Sequence, residues 1–490
     1  MGSIFNPQIG FSAVSRVTGW LLLILGASMA LPLLACVIYG EPEWIIFLTA
    51  GAVSAAVGLA MTLPFRGRKL MVKRREAYLA TATAWIAISA FGMLPFMFCR
   101  APLSVSDAFF ETMSGLTTTG ATVFADVEVL SHGVLLWRGM LQWFGGLGIV
   151  LLTLALLPEL NQNGGILMFN TEVTGITHDK IHPRIATTAR SLWTVYSVLT
   201  VMCILMLWAG PMSLFDSICH GLTTLSTGGF STRNAGPTGW DSGYVDTVIT
   251  VFMFFGGVNF ILIYKCCHGG WRELAGNDVF RCYVGVILVS ATAICITLAA
   301  AGTTGWRSLV VAPLMQTASA ITSTGYSAFD YESAGPFVAV VIVALMVSGA
   351  CAGSTTGGVK IDRMLSLWRH MVNESKHTIF PNRLMSVSVG GRILGSENIS
   401  RVSAFLGLYV LLAVSATSFG CMLGVNAPDS LFATLSAIGN NGLGYGLTGV
   451  QGGFRLLPDA MKWVLALVMM AGRLELYSII ALFLPAFWRK

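Results

Sequence analysis

The feature that most restricts the fold of this chain is a series of long, uncharged, apolar runs. A helix needs about 20 residues to cross the hydrocarbon core of a bilayer. Only 11% of the residues are charged and 55% are apolar, whereas about 25% are charged in soluble domains. We therefore predict an all-α polytopic membrane protein with ten spans, at 17–40, 44–65, 77–99, 139–158, 191–215, 247–264, 282–306, 333–359, 402–428 and 463–487.

Four short stretches combine hydroxyl or amide residues with a glycine, and they recur once per unit of about one hundred residues. Each sits at the end of an apolar segment. One polar–glycine turn per repeat suggests a ring assembled from four parts of one chain, and we predict a cation selectivity filter. The stretches are Thr117-Thr118-Thr119-Gly120, Leu225-Ser226-Thr227-Gly228, Thr322-Ser323-Thr324-Gly325 and Asn440-Asn441-Gly442-Leu443.

The positions of the basic residues predict the topology. The run 308–329 is uncharged and could pass for an eleventh span, but it would then place the basic loops 265–281 and 360–401 on opposite sides. The positive-inside rule disfavours that arrangement. We therefore predict that 308–329 enters and returns from one side, as do 105–122, 213–231 and 429–446. Both termini are then cytoplasmic, as are most of the 29 lysines and arginines.

The resulting architecture is two leading helices followed by four span, pore-loop, span repeats around a pseudo-fourfold axis. Non-helical backbone at membrane depth is tolerated where protein buries it or where it lines water, and a ring of four loops meets that condition. The predicted domains are the leading pair at 1–70 and the repeats at 71–180, 181–272, 273–390 and 391–490, the third of which also holds a gating loop.

The predicted filter residues suit a dehydrated cation. Glycine permits the backbone conformation that turns carbonyls toward an ion, and the negative ends of the preceding helices favour a cation. Two positions after the filter glycine, only the fourth stretch has a second glycine, Gly444. The other three stretches have Thr122, Phe230 and Ser327 at this position. We therefore expect a short filter with modest discrimination against Na⁺. K⁺ is predicted to bind at Thr118, Thr119, Gly120, Ser226, Thr227, Gly228, Ser323, Thr324, Gly325, Asn440, Asn441 and Gly442.

Acidic residues precede the filter turns. Asp107 leads Gly120 by 13 residues, Asp216 leads Gly228 by 12, and Asp429 leads Gly442 by 13. The predicted outer segments are rich in acids, and acids at an outer mouth would raise the local cation concentration. For any single acid, ordinary loop solubility explains the charge equally well. The acids considered are Asp107, Glu111, Asp216, Asp241, Asp330 and Asp429.

At these loops the chain resembles the Trk/Ktr/HKT superfamily, and within it the Trk-type bacterial potassium-uptake membrane subunits (TrkH/TrkG-like). The resemblance extends over nearly the whole length. It rests on the leading helix pair, Ser226–Ser231, Gln142–Gly148, the stretch Gly472-Arg473-Leu474-Glu475 and the ending Pro485–Arg489. It implies K⁺ uptake across the bacterial inner membrane, a homodimer with one pore per protomer, and a cytoplasmic, nucleotide-binding TrkA-type regulatory subunit. Glycines at all four filter positions go with K⁺ preference in the family.

Two further features have physical meaning and a family role. The stretch from Gly349 to Lys360 is too rich in glycine, serine and threonine for a stable helix, so we predict an unwound segment; the resemblance makes it a gating loop below the filter. It is not a P-loop, because Gly358-Val359-Lys360 lacks the Gly-Lys-Ser/Thr pattern. Arg473 lies deep in an apolar run and is a functional candidate. The predicted gating residues are Gly349, Gly353, Ser354, Thr355, Thr356, Gly357, Gly358 and Arg473.

We expect Arg473 to point into the pore as an electrostatic barrier rather than to pair with Glu475, because residues two apart on a helix do not face each other. Coupling to H⁺ or Na⁺ remains the alternative mechanism. Proton relays use buried acids or histidines, and in the predicted spans Glu475 is the one candidate.

Other function classes are disfavoured. The histidines show no HExxH spacing, so the chain is not expected to be an enzyme. Cys266-Cys267-His268 is a poor metal motif. We expect no nucleotide and no nucleic acid on this chain. The basic loops 160–190 and 360–400 could meet a regulatory subunit or anionic membrane lipids.

Overall fold

The computed structural model describes residues 11–65, 73–148, 185–382, 386–449 and 453–488. Three predicted features fall partly or wholly outside the described residues: the second half of the span 139–158, most of the basic loop 66–75 and most of the loop 160–190. The described residues are mainly helical.

The first described helices pack closely together. Helices α1 (Phe11–Ser28) and α2 (Ala30–Ile38) follow each other directly, and α3 (Trp44–Thr62) packs against both and ends in a 3₁₀ turn at Leu63–Phe65. A Cβ on Gly19 would lie 2.8 Å from the Gly58 carbonyl oxygen. The small residues therefore let the two backbones approach, as is common between membrane helices.

Four units of similar design follow. The first has α4 (Arg74–Gly92) with α5 (Leu94–Phe98), then α6 (Val105–Leu116) and α7 (His132–Gly146); the second has α8 (Ile185–Trp208), α9 (Leu214–Leu225), a 3₁₀ turn at Gly236–Trp240, α10 (Gly243–Gly256) and α11 (Phe260–Cys267). The third has α12 (Trp271–Gly276), α13 (Asp278–Ala300), a π-turn at Arg307–Val311 leading into α14 (Ala312–Ile321), and α15 (Pro336–Ser348). The fourth has α16 (Ile361–Ile379), strands β1 (Val387–Val389) and β2 (Arg392–Leu394), α17 (Ser396–Met422), α18 (Ala427–Ile438), 3₁₀ turns at Gly446–Thr448 and Phe454–Leu456, α19 (Asp459–Arg473), α20 (Leu476–Phe483) and α21 (Pro485–Trp488).

Six of the described helical segments are long and apolar enough to cross a membrane, and the count rises to 8 if α10 with α11 and α19 with α20 each form one bent span. The two remaining predicted spans correspond to α7, which ends near the edge of the described residues, and to α15, which has only 13 residues. The coarse prediction of a helical, multi-pass membrane protein is confirmed, whereas the count of ten spans stays a prediction.

Each predicted re-entrant stretch contains one short helix. Helices α6, α9 and α18 have 12 residues and α14 has 10. At 1.5 Å per residue, such helices are too short to cross the hydrocarbon core. Most residues of each of the four helices are buried, so these helices lie in the interior of the molecule.

The prediction of an all-α chain missed one small feature. Strands β1 and β2 form an antiparallel hairpin in which Val387 pairs with Leu394 and Val389 with Arg392. The turn residues Gly390 and Gly391 both have positive φ, at 61° and 77°, which is the requirement of a tight type I′ hairpin turn. The hairpin packs against α16.

Candidate functional site

The four short central helices end in the same way. At the end of α6, the amide of Thr118 donates to the Gly115 carbonyl and the amide of Thr119 donates to the Ser114 carbonyl. These 5→2 and 6→1 hydrogen bonds define the Schellman motif. The same pair of bonds ends α9 at Thr227 and Gly228, α14 at Ser323 and Thr324, and α18 at Asn440 and Asn441.

The Schellman motif places four non-glycine residues in the left-handed conformation. Thr118, Thr227, Ser323 and Asn440 have φ of 57°, 54°, 53° and 50°. Side chains other than glycine adopt this conformation at a cost of about 1–2 kcal/mol. Such strain concentrates at functional sites. We therefore take the stretch after each of the four helices as the candidate site.

Glycines close these stretches into a ring. Two residues after each left-handed residue stands a glycine with positive φ: Gly120, Gly229, Gly325 and Gly442. We call Thr118–Gly120, Thr227–Gly229, Ser323–Gly325 and Asn440–Gly442 ring segments 1 to 4. A Cβ built on the glycine of each segment would lie closer than 3.0 Å to the middle carbonyl oxygen of the next segment, namely Gly228, Thr324, Asn441 and, from segment 4 back to segment 1, Thr119. The contacts run once around and return, so four parts of one chain surround one axis.

The sequence-based alignment of segment 2 with the other three segments is wrong by one residue. Gly228 was matched to Gly120, but the left-handed glycine that meets the next segment is Gly229. Likewise the counterpart of Thr118 is Thr227, and Ser226 is the C-cap of α9. The signal was present in the sequence, because Gly229 lies 13 residues after Asp216, the same spacing as in segments 1 and 4. The Ser-Thr-Gly triplet concealed it by resembling the triplet of segment 3.

The ring offers oxygen atoms to a cation. All twelve predicted filter residues lie in or beside the four segments, together with the missed Gly229. The C-terminal ends of four helices converge there, and their partial negative charge favours a cation. Among the described residues, the side-chain oxygens Thr118 Oγ1, Asn440 Oδ1 and Asn441 Oδ1 are buried without a hydrogen-bond partner. The donor set is thus hydroxyl, amide and carbonyl oxygen, which are hard ligands suited to an alkali cation.

One side of the ring opens into a cavity of about 440 Å³ that all four ring glycines line. We call it the outer cavity, following the predicted topology. Arg138, Arg233, Arg455 and Asp330 also line it. Of the six acids considered from the sequence, only Asp330 reaches this cavity.

The other acids have structural partners. Asp107 accepts from the Lys462 ammonium at 2.6 Å, and Asp216 accepts from the Ser213 hydroxyl at the start of α9. Asp241 pairs with Arg307, and Asp429 lies against Gly446. Acids at these positions therefore secure the helices around the ring more than they attract ions.

Glu111 forms a buried ion pair behind segment 1. Its carboxylate accepts from Arg138 Nε at 2.9 Å, and both side chains are almost fully buried. Glu111 also accepts from the Val123 amide at 2.9 Å, and Arg138 donates to the Ser231 carbonyl at 3.1 Å. The pair thus ties the chain after segment 1 to the chain after segment 2. Sequence reasoning missed it, because neither residue belongs to a recognised motif.

The glycine-rich stretch 349–360 is unwound and lies against the ring on the side away from the outer cavity, which we call the inner side. The amide of Gly357 donates to Ser323 Oγ at 2.6 Å, and the Thr355 hydroxyl is 3.2 Å from the Thr227 hydroxyl. A Cβ on Gly357 would clash with the Gly439 carbonyl, beside segment 4. The stretch therefore contacts ring segments 2, 3 and 4.

The same stretch fills a break between α10 and α11, which are bent by 100° at Gly257–Asn259. The amides of Cys351 and Thr355 donate to the carbonyls of Gly257 and Gly256, at 3.1 and 3.3 Å. The amide of Phe260, at the start of α11, donates to the Gly353 carbonyl at 3.0 Å. Helix ends leave such groups without intrahelical partners, so the unwound stretch supplies hydrogen-bond partners to the backbone groups at the break.

Arg473 lies on the inner side at the end of α19. Its guanidinium donates to the Thr355 carbonyl at 2.6 Å, to the Gly145 carbonyl at 2.6 Å and to the Gly146 carbonyl. The last two are carbonyls at the C-terminus of α7, where a cation is favoured. Arg473 therefore bridges the unwound stretch and a neighbouring helix end.

Glu475 pairs with Arg363 at 2.6 Å. Arg473 and Glu475 do not lie on one helix, since α19 ends at Arg473 and the chain turns by 119° into α20. Both residues near the turn are thus held by partners from distant parts of the chain.

The inner side holds very little space. The cavity bounded by Thr356, Gly357, Lys360, Arg363 and Arg473 has a volume of about 10 Å³. That is about the smallest volume that can hold one water. Lys360 is buried there, and its ammonium donates to the Thr356 carbonyl and to its hydroxyl. The ring is thus open toward one cavity and closed on its opposite side by positive side chains and the unwound stretch.

The Cys266-Cys267-His268 cluster shows no metal geometry. Among the described residues, no group of three or more His, Cys, Asp or Glu side chains could hold a metal ion. His268 Nδ1 instead lies 2.8 Å from the Tyr264 carbonyl.

Comparison with known proteins identifies relatives along the whole chain. The sequence model of the TrkH family, described as a cation transport protein, matches residues 45–312 and 307–490. The Trk system potassium uptake protein TrkH of Salmonella typhimurium is 36% identical over 487 residues, covering 98% of this chain and 100% of that protein. The Trk system potassium uptake protein TrkG of Escherichia coli is 32% identical over 487 residues, covering 97% and 98%.

A solved structure shows the same fold. The crystal structure of the potassium transporter TrkH from Vibrio parahaemolyticus superposes with a TM-score of 0.88 at 30% sequence identity, and the match covers 98% of this chain and 100% of that one.

Proposed function

This chain belongs to the TrkH family of cation transport proteins, and from that premise we propose that it carries K⁺ into the bacterial cell through a gated, channel-like pore. It is a multi-pass protein of the inner membrane and the membrane subunit of a Trk system. The observation that carries the channel-like mechanism is the closed ring, in which each of four glycines meets the carbonyl of the next segment.

The ring binds K⁺ as the transported ion. Carbonyl oxygens of the ring segments, with hydroxyl and amide oxygens of Thr118, Asn440 and Asn441, would replace the hydration shell of the ion. Each segment contributes a single ring glycine, so the coordinating region is short. We expect K⁺ and Rb⁺ to pass and Na⁺ to be excluded less strictly than in a longer filter.

The stretch 349–360 and Arg473 form the gate. The stretch lies directly against ring segments 2, 3 and 4, and Arg473 holds it through the Thr355 carbonyl. A guanidinium here opposes the passage of a cation electrostatically. Opening requires the stretch to leave the ring, and its hydrogen bonds to Gly256, Gly257 and Phe260 make the bend between α10 and α11 part of that movement.

The remaining predicted properties follow the family. We propose a homodimer with one pore per protomer, ten spans with both termini cytoplasmic, and control by a TrkA-type nucleotide-binding partner, while this chain itself binds no nucleotide. The name "Trk system" in the relatives supports an assembly with other components.

A symporter that couples K⁺ entry to H⁺ or Na⁺ is the second candidate. The candidate proton carriers are Glu111, which is fully buried, and Glu475, which is partly exposed. Both are engaged by arginines, Arg138 at 2.9 Å and Arg363 at 2.6 Å. Neither carboxylate lines the outer cavity, and both are engaged in ion pairs that hold helices together, so the geometry supports the uncoupled mechanism.

Ion flux into liposomes distinguishes the two mechanisms. The purified protein would be reconstituted, and K⁺, Rb⁺ and Na⁺ entry measured with and without a pH gradient, in the presence and absence of the regulatory partner. K⁺ and Rb⁺ flux without a pH gradient is expected. Flux that strictly requires the gradient would replace the channel-like mechanism with coupled transport, and no K⁺ or Rb⁺ flux under any condition would remove the transport function.

A further inference from the structure

Gln142 is a buried residue of α7 that neither the filter nor the gate accounts for. It is fully inaccessible to solvent. Its amide Nε2 donates to the Gly228 carbonyl at 2.6 Å, and its Oε1 accepts from the Phe230 amide at 3.1 Å. Both ends of the side chain are therefore used, one on each side of the ring glycine Gly229.

Gly228 differs from the residues at the same position in the other ring segments. The counterparts are Thr119, Thr324 and Asn441, and each binds through its own side chain. Thr119 Oγ1 lies 2.8 Å from Thr117 Oγ1, and Thr324 Oγ1 lies 2.8 Å from Thr322 Oγ1. Asn441 Nδ2 donates to the Ala320 carbonyl at 2.7 Å. Segment 2 has no side chain with which to do this.

Gln142 occupies the space that the missing side chain would need. A Cβ on Gly228 would lie closer than 3.0 Å to three atoms of the Gln142 side chain. The φ of Gly228 is not positive, unlike that of Gly229, so the backbone conformation does not require glycine here. Gly228 and Gln142 are thus a matched pair, in which an amide from a neighbouring helix replaces a local side chain.

The backbone beyond the ring glycine is also held differently in segment 2. In segment 1 the Val123 amide donates to Glu111 at 2.9 Å, and in segment 3 the Ala328 amide donates to Gln316 at 2.8 Å. Glu111 and Gln316 both lie nine residues before their ring glycine, on the preceding helix. At that position segment 2 has His220, which instead lies 3.0 Å from the Ser231 hydroxyl. In segment 2 the amide bonded by a buried side chain is instead that of Phe230, one residue after the ring glycine rather than three, and its acceptor is Gln142 from the neighbouring helix α7.

The bond to Gly228 changes one of the four ring carbonyls. Within the described part of the chain, no hydrogen-bond donor is paired with the carbonyls of Thr119, Thr324 or Asn441, whereas that of Gly228 accepts from Gln142. A carbonyl that already accepts a hydrogen bond is held in place and has less electron density to offer an ion. The number and field strength of carbonyl ligands determine how well K⁺ is distinguished from Na⁺.

We propose that Gln142 is a positioning residue that determines cation specificity, because it fixes the carbonyl of Gly228 in the ring. The proposal rests on the K⁺ transport function proposed above. Without the Gln142 amide, the second carbonyl moves more freely and adapts to the smaller Na⁺, so discrimination falls.

The test is the ratio of Na⁺ to K⁺ flux in liposomes. We expect Gln142→Ala to raise this ratio roughly three- to tenfold, the range of one hydrogen bond of ordinary net strength. Trp143→Phe is the matched control. It removes a partly buried hydrogen bond made by the same helix, from Trp143 Nε1 to Thr200 Oγ1 at 3.1 Å, without touching the ring. It should leave the ratio within about twofold of the wild type.

A rescue separates specificity from simple packing. Gly228→Thr alone should abolish flux, because the new side chain meets Gln142. Gly228→Thr combined with Gln142→Ala gives segment 2 the arrangement of segments 1 and 3, with Ser226 in the place of Thr117 and Thr322. The double variant should recover K⁺ flux and a ratio within about twofold of the wild type.

Three results would decide against the proposal. A Gln142→Ala protein with normal K⁺ flux and an unchanged ratio would show a structural role only. If Gln142→Ala does not fold, Gln142→Glu keeps the volume and the acceptor for Phe230, and an unchanged ratio there would overturn the proposal. A double variant that carries K⁺ but keeps the raised Na⁺ to K⁺ ratio of Gln142→Ala would also overturn the proposal. Failure of the transport function itself is distinct, since wild-type protein would then carry no K⁺ or Rb⁺.

Discussion

The two sides of the ring differ in symmetry as well as in openness. On the outer side, four glycines from four repeats line one cavity of about 440 Å³. On the inner side, a single stretch from the third unit and one arginine from the fourth leave a cavity of about 10 Å³. A ring needs equivalent parts to surround an ion, whereas a gate needs only one part that can move. In the proposed mechanism, the repeats would therefore supply selectivity and the departures from repetition would supply regulation.

The largest effect is expected at the ring glycines, which line the outer cavity. Gly229→Ala would place a Cβ closer than 3.0 Å to the Thr324 carbonyl oxygen, at a residue with φ of 80°. The left-handed conformation costs an alanine about 1–2 kcal/mol and overpacking about 1–3 kcal/mol. We expect K⁺ flux to fall by about 100-fold or more, since each 1.4 kcal/mol is about tenfold.

Gly407→Ala provides the control for that change, because nothing lies within 4 Å of a Cβ at this position in α17. It should leave K⁺ flux unchanged. Normal flux in Gly229→Ala would mean that Gly229 is not the ring glycine and that Gly228 is the counterpart of Gly120.

The second-largest effect is expected on the inner side, where the contacts are not repeated. Arg473→Ala removes three hydrogen bonds from a charged group to the carbonyls of Thr355, Gly145 and Gly146. Bonds to charged groups contribute about 1.5–3 kcal/mol each. We expect K⁺ flux without the regulatory partner to rise at least about tenfold, as measured in liposomes.

Arg473→Lys keeps the charge but cannot reach all three carbonyls, so it should produce a smaller rise. If Arg473→Ala leaves both the basal flux and its dependence on the partner as in the wild type, Arg473 is not part of the gate.

A smaller change tests the gate without altering charge. Thr355→Val preserves shape but removes the hydroxyl that lies 3.1 to 3.2 Å from the Gly256 carbonyl, the Leu225 carbonyl and the Thr227 hydroxyl. A neutral hydrogen bond contributes about 0.5–1.5 kcal/mol. We expect basal K⁺ flux to rise about two- to tenfold while the Na⁺ to K⁺ ratio stays constant. A changed ratio with constant flux would assign Thr355 to the filter.

The smallest effect concerns two equivalent helix caps. The hydroxyls of Ser104 and Ser213 accept from the amides of Asp107 and Asp216 and so cap α6 and α9. Replacing either serine with alanine should lower the free energy of unfolding by about 1 kcal/mol. Thermal unfolding in detergent would measure it, with the flux ratio unchanged. Unequal losses at the two sites would show that the repeats differ in stability although they agree in geometry.

The sequence was sufficient to recognise the repeated elements. Uncharged runs, basic loops and four polar–glycine stretches are local patterns, and they predicted the positions of the four short central helices and the family. The unwound stretch at 349–360 was also predictable, because glycine and hydroxyl residues cannot support a helix there. Each of these conclusions depends on the residues of one segment at a time.

Only the tertiary structure decided which atoms meet. The ion pairs Glu111–Arg138 and Arg363–Glu475 and the bridge from Arg473 to Gly145 join residues that are 27 to 328 positions apart. The one-residue shift in segment 2 was likewise visible only from contacts between distant segments. Gln142 shows the reason most clearly. Its motif was visible in the sequence, but its role depends on Gly228 lacking a side chain 86 residues away, and a pattern along the chain does not encode which distant residues will share a space.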